Sequence, residues 1–232
     1  MNKSKPICIA KSSKRYGGEP VKRAVSSVDV QGRWPNSLVT YSLTNDTGDI
    51  PGDSLETKAI NWAFLTWGIR CKNIKFKRVK DGQLADITIS FAAPGTDDYF
   101  TSESILAYAW YPNVKAPLGG DIVFNDMPKI NWSLDGLPVE AWKIDPVHYT
   151  KDNPTKFKTI NLRQVACHEV GHSLGLAHAD MCKTCMMYPW YHNDLLLDTL
   201  DAVRIQNIYG KRLIQSSFIN SINTLLGRGI IR

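Results

Sequence analysis

Hydrophobic and polar positions along the chain change their rhythm several times, and each change marks an element. Residues 1–30 carry no sustained hydrophobic period and read as a flexible leader. From Ser37 to Leu43, "SLVTYSL" is rich in strand-forming residues with partial alternation, which predicts a strand. Asp53–Ile69 then switches to helical spacing, with Leu55, Ala59, Trp62, Ala63 and Trp67 on one broad face. Asp53 is the expected cap, with Glu56 three residues on. "IKFKRV" and "ADITISFA" follow as strands, and Ile87, Ile89 and Phe91 alternate with polar residues in the second. "ILAYAWYP" and "GGDIVFND" predict two more strands, bounded by Pro112, Gly119-Gly120 and Pro128.

Residues 128–158 hold four prolines and no clean period, the signature of a long surface loop. Helical spacing returns at "TINLRQVACHEVGHSLGL", anchored by Ile160, Val165, Cys167 and Leu174. A last domain helix is expected at about residues 197–209, stopped by Gly210. Strands interrupted by one helix and followed by two more predict an α+β domain over residues 31–211. The tail, residues 212–232, places Ile214, Phe218, Ile222, Leu225 and Leu226 on one helical face. It is either an extra helix packed on the domain or a helix for membrane or partner contact.

Composition narrows the class. The chain has 232 residues, 43% hydrophobic and 22% charged, which suits one sizeable domain with extensions. It holds no run of eighteen apolar residues, and its first residues lack the apolar core of a secretory signal, so the compartment stays open. Net charge is +6, concentrated in the first stretch of the leader, residues 3–23, where seven Lys and Arg residues meet only Glu19. No aromatic interleaving accompanies them, and nucleic acid is not an expected partner. The cysteine count of five is odd, so this is no disulfide framework.

Chemistry concentrates in "HEVGHSLGLAHADMCKTCMMYP", His168–Pro189, where three of the five histidines fall within eleven residues. His168 and His172, four apart on a helix, share one face and can reach one zinc ion through their imidazole nitrogens. Glu169 sits one step round the helix, where its carboxylate serves as a general base on water rather than as a ligand. Gly175 is placed to take a left-handed conformation, end the helix and swing His178 back as a third ligand. Three histidines with an open fourth position make a catalytic geometry, not a closed structural one. Met187, nine residues past His178, could lie as a soft apolar floor.

These residues resemble the metzincin zinc peptidases and, within them, the matrixins, the matrix-metalloproteinase family. "RWPNSLVTYSL", "ADITISF", "ILAYAWYP", "LGGDIVF", "NLRQVACHEVGHSLGLAH", "MMYP" and "IQNIYG" match catalytic-domain segments in the same order. The resemblance implies a mixed five-stranded sheet with three helices, the active-site helix being followed by a Met-turn at Met187. It implies one catalytic zinc on His168, His172 and His178, Glu169 as base, and endopeptidase activity on protein or peptide substrates. It also makes Leu106, Ala107, Tyr108 and Ala109 the edge strand that pairs with substrate. Pro189, Trp190 and Tyr191 would form the opposite wall, and Gln164 would lie towards the pocket floor. A non-catalytic, zinc-dependent peptide-binding protein using the same cleft is the alternative.

Departures from the family pattern matter too. A second, structural zinc cannot be built from the usual histidines, because none precedes His148, and Tyr108 and Val123 stand at the expected ligand positions. The implied calcium sites are weakened: Gly119, Gly120 and Asp121 persist, but Asn125 replaces an acid and Asp126 is shifted. The family's cysteine-bearing propeptide motif is missing, although Cys8 in "KPICIA" could imitate it. Cys182 and Cys185 could be a disulfide, part of an extra metal site, or two free thiols. His148 and His192 read as surface residues.

Overall fold

A computed structural model describes residues 7–11, 30–51, 54–101, 104–136, 139–140, 156–157, 159–192 and 196–212. Its frame is a mixed sheet built from β1 (Ile7–Lys11), β2 (Leu38–Leu43), β3 (Lys75–Arg78), β4 (Ile87–Ala92), β5 (Ile105–Trp110) and β6 (Ile122–Asn125). The strand order is β1-β5-β6-β4-β2-β3, and only the β5–β6 pair is antiparallel. Strands β2 to β6 are the expected five-stranded mixed sheet. On β4 the predicted alternation holds residue by residue: Ile87, Ile89 and Phe91 are buried, and the residues between them are half-buried.

Among the described residues three helices complete the domain: α1 (Leu55–Gly68), α2 (Leu162–Ser173) and α3 (Thr199–Tyr209). Helix α1 lays Ala59, Trp62, Ala63 and Trp67 into the core, and its Phe64 ring stacks on Tyr41 of β2 at 3.9 Å between centroids. Trp67 also donates its indole N–H to the Cys167 carbonyl at 2.8 Å, tying α1 to α2. All twelve residues of α2 are buried. A helix so buried would normally be apolar all round; this one carries two histidines, a glutamate and a glutamine, so its polar groups need partners inside the protein.

Four expectations need correction. Ile7–Lys11, in the stretch read as a flexible leader, forms β1 and pairs in parallel with β5. Five residues are too few to show a period against a basic background. The α1 cap is Ser54, without a side-chain capping bond, and Asp53 lies outside the described residues. The segment read as a loop over 128–158 contains β7 (Trp132–Ser133), β8 (Val139–Glu140) and β9 (Lys156–Phe157), and β7 pairs with β10 (Ile160–Asn161). Two-residue strands leave no periodic signature. Finally, β5 is not an edge strand among the described residues, because β1 flanks it. Residues 213–232, His148 and the Cys8 side chain fall outside the described set.

Candidate metal centre

Helix α2 is fixed at both ends before any ligand is considered. At its start the Asn161 side chain accepts from the backbone N–H groups of Arg163 and Gln164, satisfying two donors that a helix N-terminus leaves open. At its end every carbonyl from Val170 to Leu176 has a described partner. The backbone N–H groups of Leu174, Leu176 and Gly175 take Val170, Gly171 and His172, in that order. Trp34 Nε1 takes Ser173 and the Tyr209 hydroxyl takes Leu174. Gln31 N–H takes Gly175, and His172 Nδ1 takes Leu176 at 2.6 Å. Distant pieces of sequence thus converge to hold one helix end.

Gly175 turns the chain as expected, with φ of 97°. Glycine is required there on a second count, since a Cβ would sit 2.1 Å from the Gly32 carbonyl oxygen. The turn brings His178 back towards α2: its ring centroid lies 4.6 Å from that of His172 and 5.3 Å from that of His168. One ring nitrogen from each of the three histidines falls within a mutual 4.8 Å.

The tautomers follow from the partners. His168 Nδ1 faces the Met186 carbonyl at 2.7 Å, and His172 Nδ1 faces the Leu176 carbonyl. A carbonyl only accepts, so both Nδ1 atoms carry hydrogen, and in a neutral ring both Nε2 atoms are bare. Neutrality is what the surroundings impose. Burial, helped by the neighbouring His178, pushes His168 down to about 3; burial beside the other two rings pushes His172 well down. Burial first, with Arg204 adding, pushes His178 down to about 4. Yet the Nε2 atoms of His168 and His172 stand 2.9 Å apart, and His178 Nε2 is buried with no hydrogen-bond partner among the described residues. Two converging lone pairs beside an unpartnered third ring nitrogen suit a cation, and imidazole nitrogen suits zinc.

Met187 packs closely against α2. A Cβ on Gly171 would meet the Met187 sulfur at 2.3 Å, so the glycine inside the motif is what lets the methionine approach α2. The Met-turn itself hangs on Asp201, a fully buried residue that the sequence reading passed over. Its carboxylate accepts from the N–H groups of Met186 at 2.6 Å, Met187 at 3.3 Å and Asp198 at 3.2 Å. Burial raises its pKa, and those N–H groups together with Arg204 oppose the rise. The available signal was the acid three residues after Asp198, a capping-box spacing at the start of α3.

The other expected site residues are placed as follows. Glu169 is fully buried, next to His168 on α2. Gln164 is buried with its amide nitrogen 3.9 Å from the Met186 sulfur, and its Oε1 has no hydrogen-bond partner among the described residues. Pro189 is half-buried and Trp190 exposed, while the Tyr191 hydroxyl accepts from Asn161 N–H and so braces the start of α2. Leu106, Ala107, Tyr108 and Ala109 are all buried on β5, with β1 on one side and β6 on the other.

Tyr108 and Val123, the positions where histidines were expected, are direct cross-strand partners. Here Tyr108 instead donates to Asp97 at 2.5 Å and packs among Tyr99, Phe100 and Trp110. At the implied calcium positions, Asp121 accepts from Thr88 N–H, Asp126 from the Thr47 hydroxyl, and the Asn125 amide donates to the Ile105 carbonyl. Cys182 and Cys185 form a disulfide, and His192 Nε2 donates to the Cys185 carbonyl.

The Peptidase_M10 matrixin model matches residues 33–210, the span that holds strands β2 to β6, the three helices and the triad. The chain belongs to the matrixin family. This matrixin domain is 33% identical over 183 residues to an interstitial collagenase of Equus caballus, covering 77% of this chain and 33% of that one. It is 31% identical over 188 residues to stromelysin-2 of Rattus norvegicus, covering 78% and 33%. It is 30% identical over 210 residues to macrophage metalloelastase of Rattus norvegicus, covering 88% and 39%. The chain thus spans about a third of the length of these curated relatives. Matrixins use a catalytic zinc, and the three-histidine group of this one fits that ion.

Proposed function

We propose that this matrixin is a zinc-dependent endopeptidase that hydrolyses peptide bonds of protein substrates, with Glu169 as general base. The observation that best supports the reading is the convergence of three neutral imidazoles on one point, with Glu169 beside them on the same helix. His168, His172 and His178 would hold the ion. Zinc, when bound, polarises a carbonyl and lowers the pKa of a coordinated water to about 7.

Glu169 takes a proton from water as the water oxygen adds to the scissile carbonyl carbon. It then delivers that proton to the departing amine nitrogen as the C–N bond breaks. Gln164 lies towards the floor of the pocket for the residue after the cut, and Pro189, Trp190 and Tyr191 make the wall. Leu106 to Ala109 would pair with an extended substrate, adding it as a strand to the sheet. Because β1 holds that side of β5, Ile7–Lys11 has to leave before a substrate can pair there. The same occupancy lends support to the second reading, a zinc-dependent protein that grips an extended segment without cutting it.

Glu169→Ala separates the two. In the endopeptidase reading, the variant keeps zinc and loses at least about 100-fold of the cleavage rate on an unfolded protein substrate. Activity retained by a clean preparation of the variant overturns the role of Glu169. Tight peptide binding by the zinc-loaded parent, without product, favours the binding protein.

A further inference from the structure

The segment between His178 and Met187 is folded as three successive turns. The N–H groups of Cys182, Cys185 and Tyr188 donate to the carbonyls of Ala179, Cys182 and Cys185. An outer bond from Ala179 N–H to the Met187 carbonyl, at 2.8 Å, closes the whole loop beside its two functional ends. The Cys182–Cys185 disulfide staples the middle turn, spanning three residues with 5.3 Å between the Cα atoms. A ring this short constrains the unfolded chain far less than a long one, so its main effect is local.

That local effect lies one residue from the metal centre. Met186 follows Cys185 directly, and its carbonyl holds Nδ1 of His168, which sets the tautomer and the ring orientation of a zinc ligand. The two sulfurs are also unequally exposed. Cys185 is fully buried, whereas Cys182 is half-buried between the exposed Met181 and Lys183. Cys182 is therefore the more accessible of the two residues.

We propose that Cys182–Cys185 is a thiol-exchangeable modification site whose oxidation state sets how tightly the three-histidine centre holds zinc. The proposal rests on the zinc reading of the triad. The co-substrate is a dithiol reductant. Its thiolate attacks the Cys182 sulfur, the S–S bond breaks, and Cys185 leaves as a thiolate that takes up a proton. The second thiol of the reductant then attacks the mixed disulfide, releases Cys182 as a thiol and closes the reductant's own disulfide. Two electrons and two protons pass to the protein. Cys71 and Cys167 stay out of the exchange, being fully buried, with burial raising both thiols.

Reduction removes the staple but leaves the Asp201 bonds to Met186 and Met187 and the His192 bond to Cys185 in place. The loosening of His168 is then partial. Loss of an outer-shell partner costs about 10–100-fold in metal affinity, and the low end, about tenfold, is expected here.

The test is the zinc dissociation constant of the full chain, measured by competition with a chromogenic chelator. It compares the oxidised parent, the parent reduced by a phosphine, and the Cys182→Ser/Cys185→Ser double variant. The expected result is a constant about tenfold higher for the reduced parent and for the variant, with no further effect of reductant on the variant. Alkylation with mass readout should label Cys182 in the reduced parent and not in the oxidised one, and spare Cys71 and Cys167. A change below about twofold in fully reduced parent overturns the proposal, as does resistance of the disulfide to dithiothreitol, removed before zinc is titrated. A second zinc taken up on reduction also overturns it, since the thiols with Asp198 would then be a ligand set of their own. If the double variant fails to fold by circular dichroism, the reduced parent carries the test. If the oxidised parent binds no zinc, it is the zinc reading of the triad that has failed.

Discussion

The Nε2 atoms of His168 and His172 face each other at 2.9 Å with a lone pair on each. Two lone pairs at hydrogen-bond distance repel, and no proton is available to bridge them while both rings are neutral. The arrangement is held from behind, by the carbonyls of Met186 and Leu176 on the two Nδ1 atoms. A cation between the rings turns repulsion into attraction.

Zinc should therefore stabilise the fold. Free zinc at 100 times its dissociation constant adds about 2.7 kcal/mol, a rise in Tm of roughly 5–10 °C for a domain of this size. Differential scanning calorimetry with chelator and with zinc measures it. A shift below about 1 °C contradicts a preformed three-histidine site.

His178 should make the zinc-free domain sensitive to acid. Its folded pKa, about 4, lies below the value of about 6.5 expected in the unfolded chain. Between those values the unfolded chain binds the proton and the folded domain does not, so stability falls as pH drops from 6.5 towards 4. By pH 5 this one residue accounts for about 2 kcal/mol. Denaturant unfolding of the zinc-free parent and of His178→Ala at pH 7 and pH 5 should show a smaller pH effect in the variant. An equal effect in both proteins contradicts the assignment.

Asp201→Asn should weaken the Met-turn. One carboxylate now receives three backbone N–H groups, and an amide in its place turns an N–H towards at least one of them. A loss of about 1–3 kcal/mol is expected, with faster zinc release because Met186 carries the carbonyl that orients His168. Urea unfolding and stopped-flow zinc release read the two effects. Unchanged values in both contradict the role given to Asp201.

How much of this was legible in the sequence depended on distance along the chain. His168, His172, Gly175 and His178 lie within eleven residues, so helix geometry and one glycine turn sufficed to bring them together. Strand β4 was legible because a sheet with one buried face imposes alternation, as at Ile87, Ile89 and Phe91, and β5 and β6 were legible from the Pro and Gly residues that bound them. Asp201 was legible only as the third residue of a capping box after Asp198; its bonds to the N–H groups of Met186 and Met187 leave no pattern in side-chain types. Nor was β1, whose place depends on β5, about a hundred residues away. The spacing of Cys182 and Cys185 left disulfide, metal ligand and free thiols open, and only their positions in space chose among them.

The β1–β5 pairing makes its own prediction. Residues Ile7–Lys11 occupy the side of β5 where an extended substrate would pair. Removing residues 1–11 should raise kcat/KM on peptide substrates, mainly through a lower KM, and leave zinc content unchanged. Equal kcat/KM for the full and shortened chains contradicts competition at β5.

X-ray absorption at the zinc edge of the zinc-loaded, oxidised full chain tests the central claim most directly. The account predicts nitrogen scatterers at about 2.0–2.1 Å with the multiple-scattering pattern of three imidazoles, reduced to two in His178→Ala. Sulfur scatterers at about 2.3 Å, or an ion held without imidazole, would place the metal elsewhere and contradict it.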